Sequence, residues 1–311
     1  MKQNIAIGTD IGGSHISCAA VDLSSGKILR ETFCEKAVNN QAQASEIISI
    51  WTDAMRISMN KVKGNPVKGI GLAVPGPFDY VKGICLIEGV AKYEHLYGYN
   101  IGDSIRKSLS LPDNFLIRFM NDASSFAVGE AWTGKASKAE RSLSITLGTG
   151  FGSAFIRNHV PVVDGPEVPR LGCVYHLPYK GGIADESFST RWFIESYKKA
   201  TGTEVKGVKV LSSLADSDKT ALSLFHDFGE RLGVFLTPWL RKFNAEILVI
   251  GGNISNAYYL FGESFENSLR KEKCDCKVEL SELKEDAALL GSAYLFNDDF
   301  WKAVQHALPL M

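Results

Sequence analysis

The chain has 311 residues, with 34 basic and 35 acidic side chains and a formal net charge of −1. This length predicts two domains of ordinary size, and 45% hydrophobic residues are enough to give both a core. The balanced charge provides no global field that would attract nucleic acid or an anionic membrane. Because the six cysteines are scattered, and no signal peptide or apolar run of about 18 residues is present, we expect a reduced, cytoplasmic protein.

The first half of the chain alternates between strand and helix patterns. Apolar residues recur with period two in the predicted strands and at helical spacing in the predicted helices. In chain order the predicted elements are a three-stranded meander over 4–33, a helix over 42–62, a buried strand over 69–74, a helix near 100–110, a strand over 115–120 and a helix from about 123 to 133.

The second half repeats this order after a second hairpin, whose strands include residues 143–145 and 154–156. The elements that follow are a long helix over about 218–243, a strand over 246–250, a turn at 251–253, a helix over about 255–271, a strand over 277–280 and a helix over 285–296. Strands followed by alternating helices and strands, twice over, predict two α/β lobes with mixed sheets.

Two glycine-rich turns lie inside hairpins, one in each half of the chain. Glycine lets backbone N–H groups approach a phosphate closely, and two similar turns predict a two-lobed clamp around a polyphosphate. The alternative is that each is only a hairpin turn that needs glycine. The residues concerned are Gly12, Gly13 and Ser14 in the first turn and Gly148, Thr149, Gly150 and Gly152 in the second.

Two aspartates are candidates for chemistry. Asp10, in the first turn, could hold Mg²⁺ directly or through water, or could simply stabilise its own turn. Asp122 follows a buried strand and begins a helix, so it is a candidate general base with Asn121 beside it to orient the acceptor. The alternative for this pair is an ordinary helix N-cap.

Taken together, these segments resemble the ROK family of sugar kinases and sugar-responsive repressors, within the actin-like ATPase superfamily. The resemblance runs nearly end to end through six segments in the same order. They are the first turn at 10–14, the P-G-P-x-D loop at 75–79 with Gly76 and Pro77, the N-D and G-E pairs at 121–122 and 129–130, the second turn at 146–152, the G-G segment at 250–255 and the closing helix at 286–293.

The resemblance implies a two-lobed, ribonuclease H-like α/β fold with mixed sheets. The first lobe would run over 1–121, completed by the C-terminal helix at about 286–311, and the second over 122–285. It also implies a homodimer, and transfer of the γ-phosphoryl group of ATP to a sugar hydroxyl, with Mg²⁺ held at Asp10 through ATP and Asp122 as base. Beyond the two turns, the residues implied for adenosine are Gly251, Gly252 and Asn253, and those implied for sugar are Gly76, Pro77, Asn121 and Asp122.

The acceptor motifs depart from the family pattern G-E-x-G-H and from its cysteine-rich zinc loop. Arg170 stands at the Glu position and Cys173 at the His position, and Asp185 stands at the Glu that ends the zinc loop. Glu167 and His176 are neighbouring substitutes for sugar contacts. Because the zinc loop is shortened and lacks its cysteines, we expect no structural zinc.

These departures leave three functions open. Arg170 suits a carboxylate or phosphate on the substrate, or it is a solvent-facing loop residue. The chain is then a kinase with altered sugar preference, or a protein that binds ATP or sugar without turnover. A sugar-responsive regulator is the third possibility, but only nine residues precede Asp10, too few for a DNA-reading module.

Overall fold

The computed structural model describes residues 4–64, 66–89 and 92–311. The chain divides into two compact units: unit 1 comprises 1–134, 159–161 and 285–311, and unit 2 comprises 135–158 and 162–284. The division therefore follows residue 134, whereas the sequence led us to place it after residue 121. The difference is helix 122–133, which packs on the C-terminal segment and so belongs with unit 1.

Both units contain β-strands. In chain order they are β1 (Ile5–Ile11), β2 (His15–Asp22), β3 (Lys27–Ala37), β4 (Val67–Val74), β5 (Phe78–Asp79), β6 (Ile84–Cys85), β7 (Leu116–Asn121), β8 (Arg141–Leu147), β9 (Phe151–Arg157), β10 (Val160–Pro161), β11 (Pro178–Tyr179), β12 (Gly182–Ile183), β13 (Ile247–Gly251) and β14 (Lys277–Leu280).

The α-helices, also in chain order, are α1 (Ala44–Asn60), α2 (Ile101–Leu109), α3 (Asp122–Thr133), α4 (Ala184–Ser187), α5 (Thr190–Thr201), α6 (Val208–Leu214), α7 (Lys219–Phe243), α8 (Tyr258–Lys271), α9 (Asp286–Tyr294) and α10 (Asp298–Val304). Among the residues described, no helix combines the length and the apolar character that a membrane crossing requires.

Unit 1 is built on a mixed sheet with strand order β3-β2-β1-β4-β7. The predicted meander forms β1, β2 and β3, which pair antiparallel, whereas β4 and β7 join β1 in parallel. Residues 69–74 of β4 are all buried, as expected of a central parallel strand covered on both faces. The parallel arrangement brings the carboxyl ends of β1, β4 and β7 to one edge of the sheet.

Helix α9 lies directly on the backbone of this sheet. Gly8 and Gly71 are register partners on β1 and β4, and a Cβ atom on either would collide with a carbonyl group of α9. The buried Ser292 hydroxyl of α9 accepts a hydrogen bond from Thr9 N at 3.1 Å. Two side-chain-free positions on neighbouring strands thus allow the helix to approach closely, which fixes where its N-terminus lies.

Helix α3 packs against α9, again at positions where glycine allows a close approach. A Cβ atom on Gly129 would meet the Ala287 carbonyl, and one on Gly291 would meet the Ser125 carbonyl. Close packing of this kind leaves no room for a side chain without moving one helix. The contact explains why α3, which follows Asn121, stays with unit 1.

Unit 2 contains the second hairpin and a large apolar core. Within it the strand order is β9-β8-β13-β14, with β8 and β9 antiparallel and β13 parallel to both β8 and β14. Helices α7 and α8 pack against each other beside this sheet, and the core is rich in buried phenylalanine. Its fully buried aromatic side chains include Phe155, Phe188, Phe193, Phe225, Phe228 and Phe261.

The glycines at the α3–α9 crossing provide a test of this packing. We expect Gly129→Val to lower the free energy of unfolding by roughly 1–3 kcal/mol, because the added side chain forces the helices apart. Gly13→Val is the matched control, since a Cβ atom at that position meets nothing within 4 Å. Urea unfolding of both variants measures the difference, and equal stability of the two would contradict the proposed close approach.

Candidate active site

The register of the parallel strands brings two acidic side chains of unit 1, Asp10 and Asp122, to one edge of the sheet. Asp10 on β1 pairs with Ala73 on β4, and Val74 pairs with Asn121 on β7. Asp10 and the Asn121-Asp122 pair therefore lie at the same edge of the sheet, separated by one strand. This is the edge where α/β folds gather ligands.

Asp10 is half-buried, and burial raises the pKa of its carboxyl group from 3.8 to about 7. The neighbouring carboxyl groups of Asp122 and Glu285 contribute further to this rise. Glu285 immediately precedes α9, so the seating of that helix on the sheet supplies the third acid. Glu285 could not be predicted as a site residue from the sequence, because its proximity to Asp10 depends on the packing of α9.

The first glycine-rich turn is closed by its backbone and supported from behind. Gly12 N donates to His15 O at 3.0 Å, and the buried Tyr93 donates its hydroxyl to Gly12 O at 2.6 Å. The Asn40 amide donates to Gly13 O. Gly13 and Ser14 remain exposed. The supports hold the turn by its carbonyl groups, which leaves its outer surface accessible to a ligand.

The Asn121-Asp122 pair forms the N-terminus of α3, and its hydrogen bonds show how each side chain is held. Asn121 is the N-cap of α3, where its Oδ1 accepts from Ser124 N at 3.1 Å. Asp122 Oδ1 accepts from Ala123 N at 2.9 Å and from Asn121 Nδ2 at 3.0 Å. Among the residues described, no donor reaches Asp122 Oδ2. This half-buried carboxylate is therefore oriented through one oxygen and has the other available.

Tyr80 is a further member of this group that the sequence did not indicate. Its buried hydroxyl donates to Val74 O at 3.2 Å and accepts from Asn121 Nδ2 at 3.3 Å. It lies shortly after Gly76 and Pro77, which are exposed in the loop between β4 and β5. Tyr80 thus connects the end of β4 to the side chain that orients Asp122.

In unit 2, the second turn lies beside the G-G segment. Gly251 on β13 pairs with Thr146 on β8, so residues 148–150 and 251–253 are at the same sheet edge. Gly252 has a φ of +80°, and a Cβ atom there would collide with the backbone of Leu147, so this position requires glycine. Thr149 and Gly150 are exposed at the tip of the turn, and Gly152 begins the return along β9. Asn253 opens the short 3₁₀ helix that follows.

The acceptor segment, residues 167–176, is also in unit 2. Glu167 is held by ion pairs with Arg141 and Arg157, whereas Arg170 is exposed. Cys173 Sγ and His176 Nδ1 are 3.7 Å apart. Burial raises the pKa of the Cys173 thiol to about 12, so this cysteine is not a reactive thiolate.

His176 and Asp185 complete the set of acceptor candidates. Desolvation, followed by the charge of Arg170, lowers the pKa of His176, which favours a neutral imidazole. Asp185 lies in α4. Its carboxylate accepts a hydrogen bond from Phe151 N, next to the tip of the second turn. The structure thus places Asp185 next to a predicted nucleotide element.

Asp10 fits the donor set that Mg²⁺ prefers. Carboxylate oxygens are hard ligands, and a divalent cation would relieve the repulsion among the three neighbouring carboxylates. His15, Glu35 and Glu285 also offer ligand atoms that lie within 4.8 Å of one another, but both glutamates are exposed. The half-buried Asp10 beside the first turn is the better candidate for an ion that accompanies a phosphate.

The chain is similar to known proteins in both sequence and structure. A sequence profile of the ROK family matches residues 6–299. The chain belongs to the ROK family. Glucokinase of Thermotoga maritima is 26% identical, over 94% of this chain and 97% of its own length.

Two solved structures share the fold. A ROK family glucokinase from Streptomyces griseus, in complex with glucose and AMPPNP, superposes with a TM-score of 0.73 at 22% identity, covering 94% of this chain and 99% of that one. A ROK family transcriptional regulator, a homologue of the E. coli MLC protein, superposes with a TM-score of 0.75 at 17% identity, covering 98% and 81%. The mixed α/β architecture expected from the sequence is therefore the fold of these ROK family proteins.

The raised pKa of Asp10 predicts a pH-dependent stability. The folded chain binds the Asp10 proton more tightly than the unfolded chain, so this contribution to stability is complete below pH 3.8 and is lost as the pH rises through about 7. Asn cannot ionise. We expect the stability of Asp10→Asn relative to the parent chain to rise by roughly 1–3 kcal/mol between pH 5 and pH 8, as measured by urea unfolding.

Asp53→Asn is the control for this experiment. A hydrogen bond from Lys36 lowers the pKa of Asp53, so its contribution changes only at lower pH and the difference from the parent chain should be constant between pH 5 and pH 8. A flat difference for Asp10→Asn over the same range would show that burial and the neighbouring carboxyl groups do not raise the pKa of Asp10.

Proposed function

We propose that this chain transfers the γ-phosphoryl group of ATP to a hydroxyl of a hexose or hexose derivative, with Asp122 as the general base. The observation that carries the proposal is the geometry of Asp122, whose Oδ1 is fixed by two N–H donors while Oδ2 is available. A general base needs this combination of fixed orientation and an open oxygen. Its position at the carboxyl edge of the sheet, beside Asp10 and the first turn, supports the assignment.

Each residue of the unit 1 site would then have a distinct role in the transfer. Asn121 and Tyr80 would orient the Asp122 carboxylate. Asp122 Oδ2 would take the proton of the attacking hydroxyl as the new P–O bond forms and the bond from the γ-phosphorus to the bridging oxygen breaks, so that ADP leaves. Asp10 would hold Mg²⁺, which supplies charge neutralisation at the phosphates when it is bound. The backbone of the first turn offers N–H groups to the same phosphates.

The residues of unit 2 would bind the nucleotide from their own sheet edge. The exposed tip of the second turn, with Thr149 and Gly150, is suited to phosphate oxygens. Gly251, Gly252 and Asn253 are adjacent to that turn and would contact adenosine. The required glycine at 252 supports this role, because it keeps the backbone close to β8 and leaves the edge free of side chains.

The acceptor is proposed to carry a negatively charged group. Arg170 is exposed and cationic, where the family pattern has a glutamate that accepts hydrogen bonds from sugar hydroxyls. Glu167 is already paired with two arginines, and His176 lies beside Arg170, so a carboxylate or phosphate on the sugar would add the missing negative charge. Gly76 and Pro77, which the family resemblance implies for sugar binding, are exposed in the loop that follows β4.

The direct test is product formation. Purified protein would be incubated with Mg-ATP and a panel of hexoses, N-acetylhexosamines and sugar acids, and phosphorylated sugars would be detected by mass spectrometry. We expect a phosphorylated product, with the acidic sugars favoured over their neutral counterparts. Absence of product from every sugar, with ATP binding intact, would exclude the kinase.

A second candidate is a protein that binds sugar or nucleotide without turnover. It is favoured by the altered acceptor motif at Arg170 and Cys173, and by the structural likeness to a ROK family transcriptional regulator. Calorimetry with the same sugar panel separates the two candidates, because a non-catalytic protein gives a binding isotherm and no phosphorylated product.

Asp122→Asn tests the base directly. Asn preserves the size of the side chain and an oxygen for the bond from Ala123 N, but it cannot accept a proton. We expect kcat to fall by at least about 10²-fold while the dissociation constant for Mg-AMPPNP is nearly unchanged. Asp103→Asn, which changes an exposed carboxylate on α2, is the control. Equal losses of kcat and nucleotide affinity would contradict the assigned role.

Tyr80→Phe tests the support for that base. Removing the hydroxyl releases Asn121 Nδ2 and Val74 O from their contacts with Tyr80. Of these two contacts, the bond from Asn121 Nδ2 bears on Asp122, and its loss at about 1 kcal/mol predicts a fall in kcat of about fivefold, with KM for the sugar less affected. The pH dependence of kcat should shift as well, because the orientation of the donor to Asp122 changes. A stability loss with unaltered kinetics would limit Tyr80 to a structural role.

A further inference from the structure

We propose that Asp185 positions the second glycine-rich turn for the nucleotide and does not contact the acceptor sugar. The proposal rests on the proposed function for the identity of the nucleotide ligand. It differs from the role implied by the resemblance, in which the residue at this position binds sugar. Each oxygen of the Asp185 carboxylate accepts a hydrogen bond from a protein donor.

The first oxygen of Asp185 holds the backbone of the turn. Oδ1 accepts a hydrogen bond from Phe151 N at 2.7 Å, immediately after the tip of the turn. A Cβ atom at Gly150 would lie 2.9 Å from the same oxygen, so the carboxylate can reach the backbone only because residue 150 is glycine. A short, charge-assisted bond to a backbone N–H fixes the position of the strand end.

The second oxygen is occupied as well. Oδ2 accepts from the Arg191 guanidinium at 3.1 Å, and Arg191 is in the first turn of α5. With one oxygen on the turn and the other on Arg191, the carboxylate has a fixed orientation. These two donors, and not a sugar hydroxyl, therefore set the orientation of the carboxylate.

A second contact from the same part of the chain holds the other end of the turn. Thr190 N and Thr190 Oγ1 both donate to Gly148 O, at 2.8 and 3.0 Å. Residues 185 and 190 therefore grip the turn at its two ends, Phe151 and Gly148. The tip between them, Thr149 and Gly150, stays exposed. This arrangement preorganises the tip without covering it.

Asp185 is also tied to the acceptor segment through its backbone. Asp185 N donates to Tyr175 O at 2.9 Å, and Ala184 N donates to Leu177 O at 2.9 Å. Helix α4 therefore connects residues 175–177 with the nucleotide turn. A side chain at this junction affects nucleotide binding through the turn, whatever the acceptor segment itself binds.

The test measures nucleotide and sugar binding separately. The dissociation constant for Mg-AMPPNP is measured by calorimetry, and KM for the best sugar of the panel by steady-state kinetics. We expect Asp185→Ala to weaken AMPPNP binding by about 10-fold to 100-fold, the effect of losing a hydrogen bond to a charged group, with KM for the sugar within about twofold. A raised sugar KM with unchanged AMPPNP affinity would overturn the proposal.

Two conservative variants keep the test valid if Asp185→Ala does not fold. Asp185→Asn retains an oxygen for Phe151 N, so it should recover most of the AMPPNP affinity, and Thr190→Val removes one bond to Gly148 O and should weaken AMPPNP binding in the same direction. Glu186→Gln changes the adjacent carboxylate of α4 and should alter neither constant. Unchanged AMPPNP affinity in Thr190→Val and a raised sugar KM in Asp185→Asn would contradict the positioning role.

The calorimetric measurement also separates this proposal from the proposed function. A parent chain that binds AMPPNP but phosphorylates no sugar removes the kinase, while the effect of Asp185→Ala on AMPPNP affinity still decides the role of Asp185. A parent chain that does not bind AMPPNP overturns both proposals.

Discussion

The burial of the Asp10 carboxyl group, with those of Asp122 and Glu285 close to it, is the constraint on which the candidate active site depends. Asp10 and Asp122 are brought together by the parallel register of β1, β4 and β7, and Glu285 is added by α9. That helix can lie on the strands only because Gly8 and Gly71 have no side chains. A divalent cation would stabilise a buried carboxylate with two others close to it, which supports the proposed role of Asp10 in holding Mg²⁺.

The two units support their glycine-rich turns in different ways. The first turn is held by its carbonyl groups, through Tyr93 and Asn40. The second is held by a carboxylate and a threonine, Asp185 and Thr190, from the stretch that follows the acceptor segment. In both cases the supporting groups lie behind or beside the turn and its tip is exposed. The departure of the acceptor motif from the family pattern thus goes together with a different use of the residue at 185.

Periodicity and turn chemistry were sufficient to predict the regular parts of the fold. The long helix expected over 218–243 is α7, Lys219–Phe243, and the strand expected over 115–120 is β7, Leu116–Asn121, because each has a sustained apolar pattern. Sequence patterns predict no element between residues 158 and 217, where the structure has the 12-residue helix α5 and short elements such as α4, whose Asp185 N donates to Tyr175 O. Tyr80 and Glu285 could not be predicted as site residues, because their proximity to Asn121 and Asp10 depends on tertiary packing.

The most direct measurement of the central claim is a crystal structure of the chain with Mg-AMPPNP and a sugar that it phosphorylates. The account predicts that an Asp122 carboxylate oxygen lies within hydrogen-bond reach, about 2.6–3.2 Å, of the acceptor hydroxyl. It also predicts that the metal lies beside Asp10, with a phosphate against the backbone of the first glycine-rich turn. A sugar hydroxyl facing a different base, with Asp122 serving only the N-terminus of α3, would contradict it.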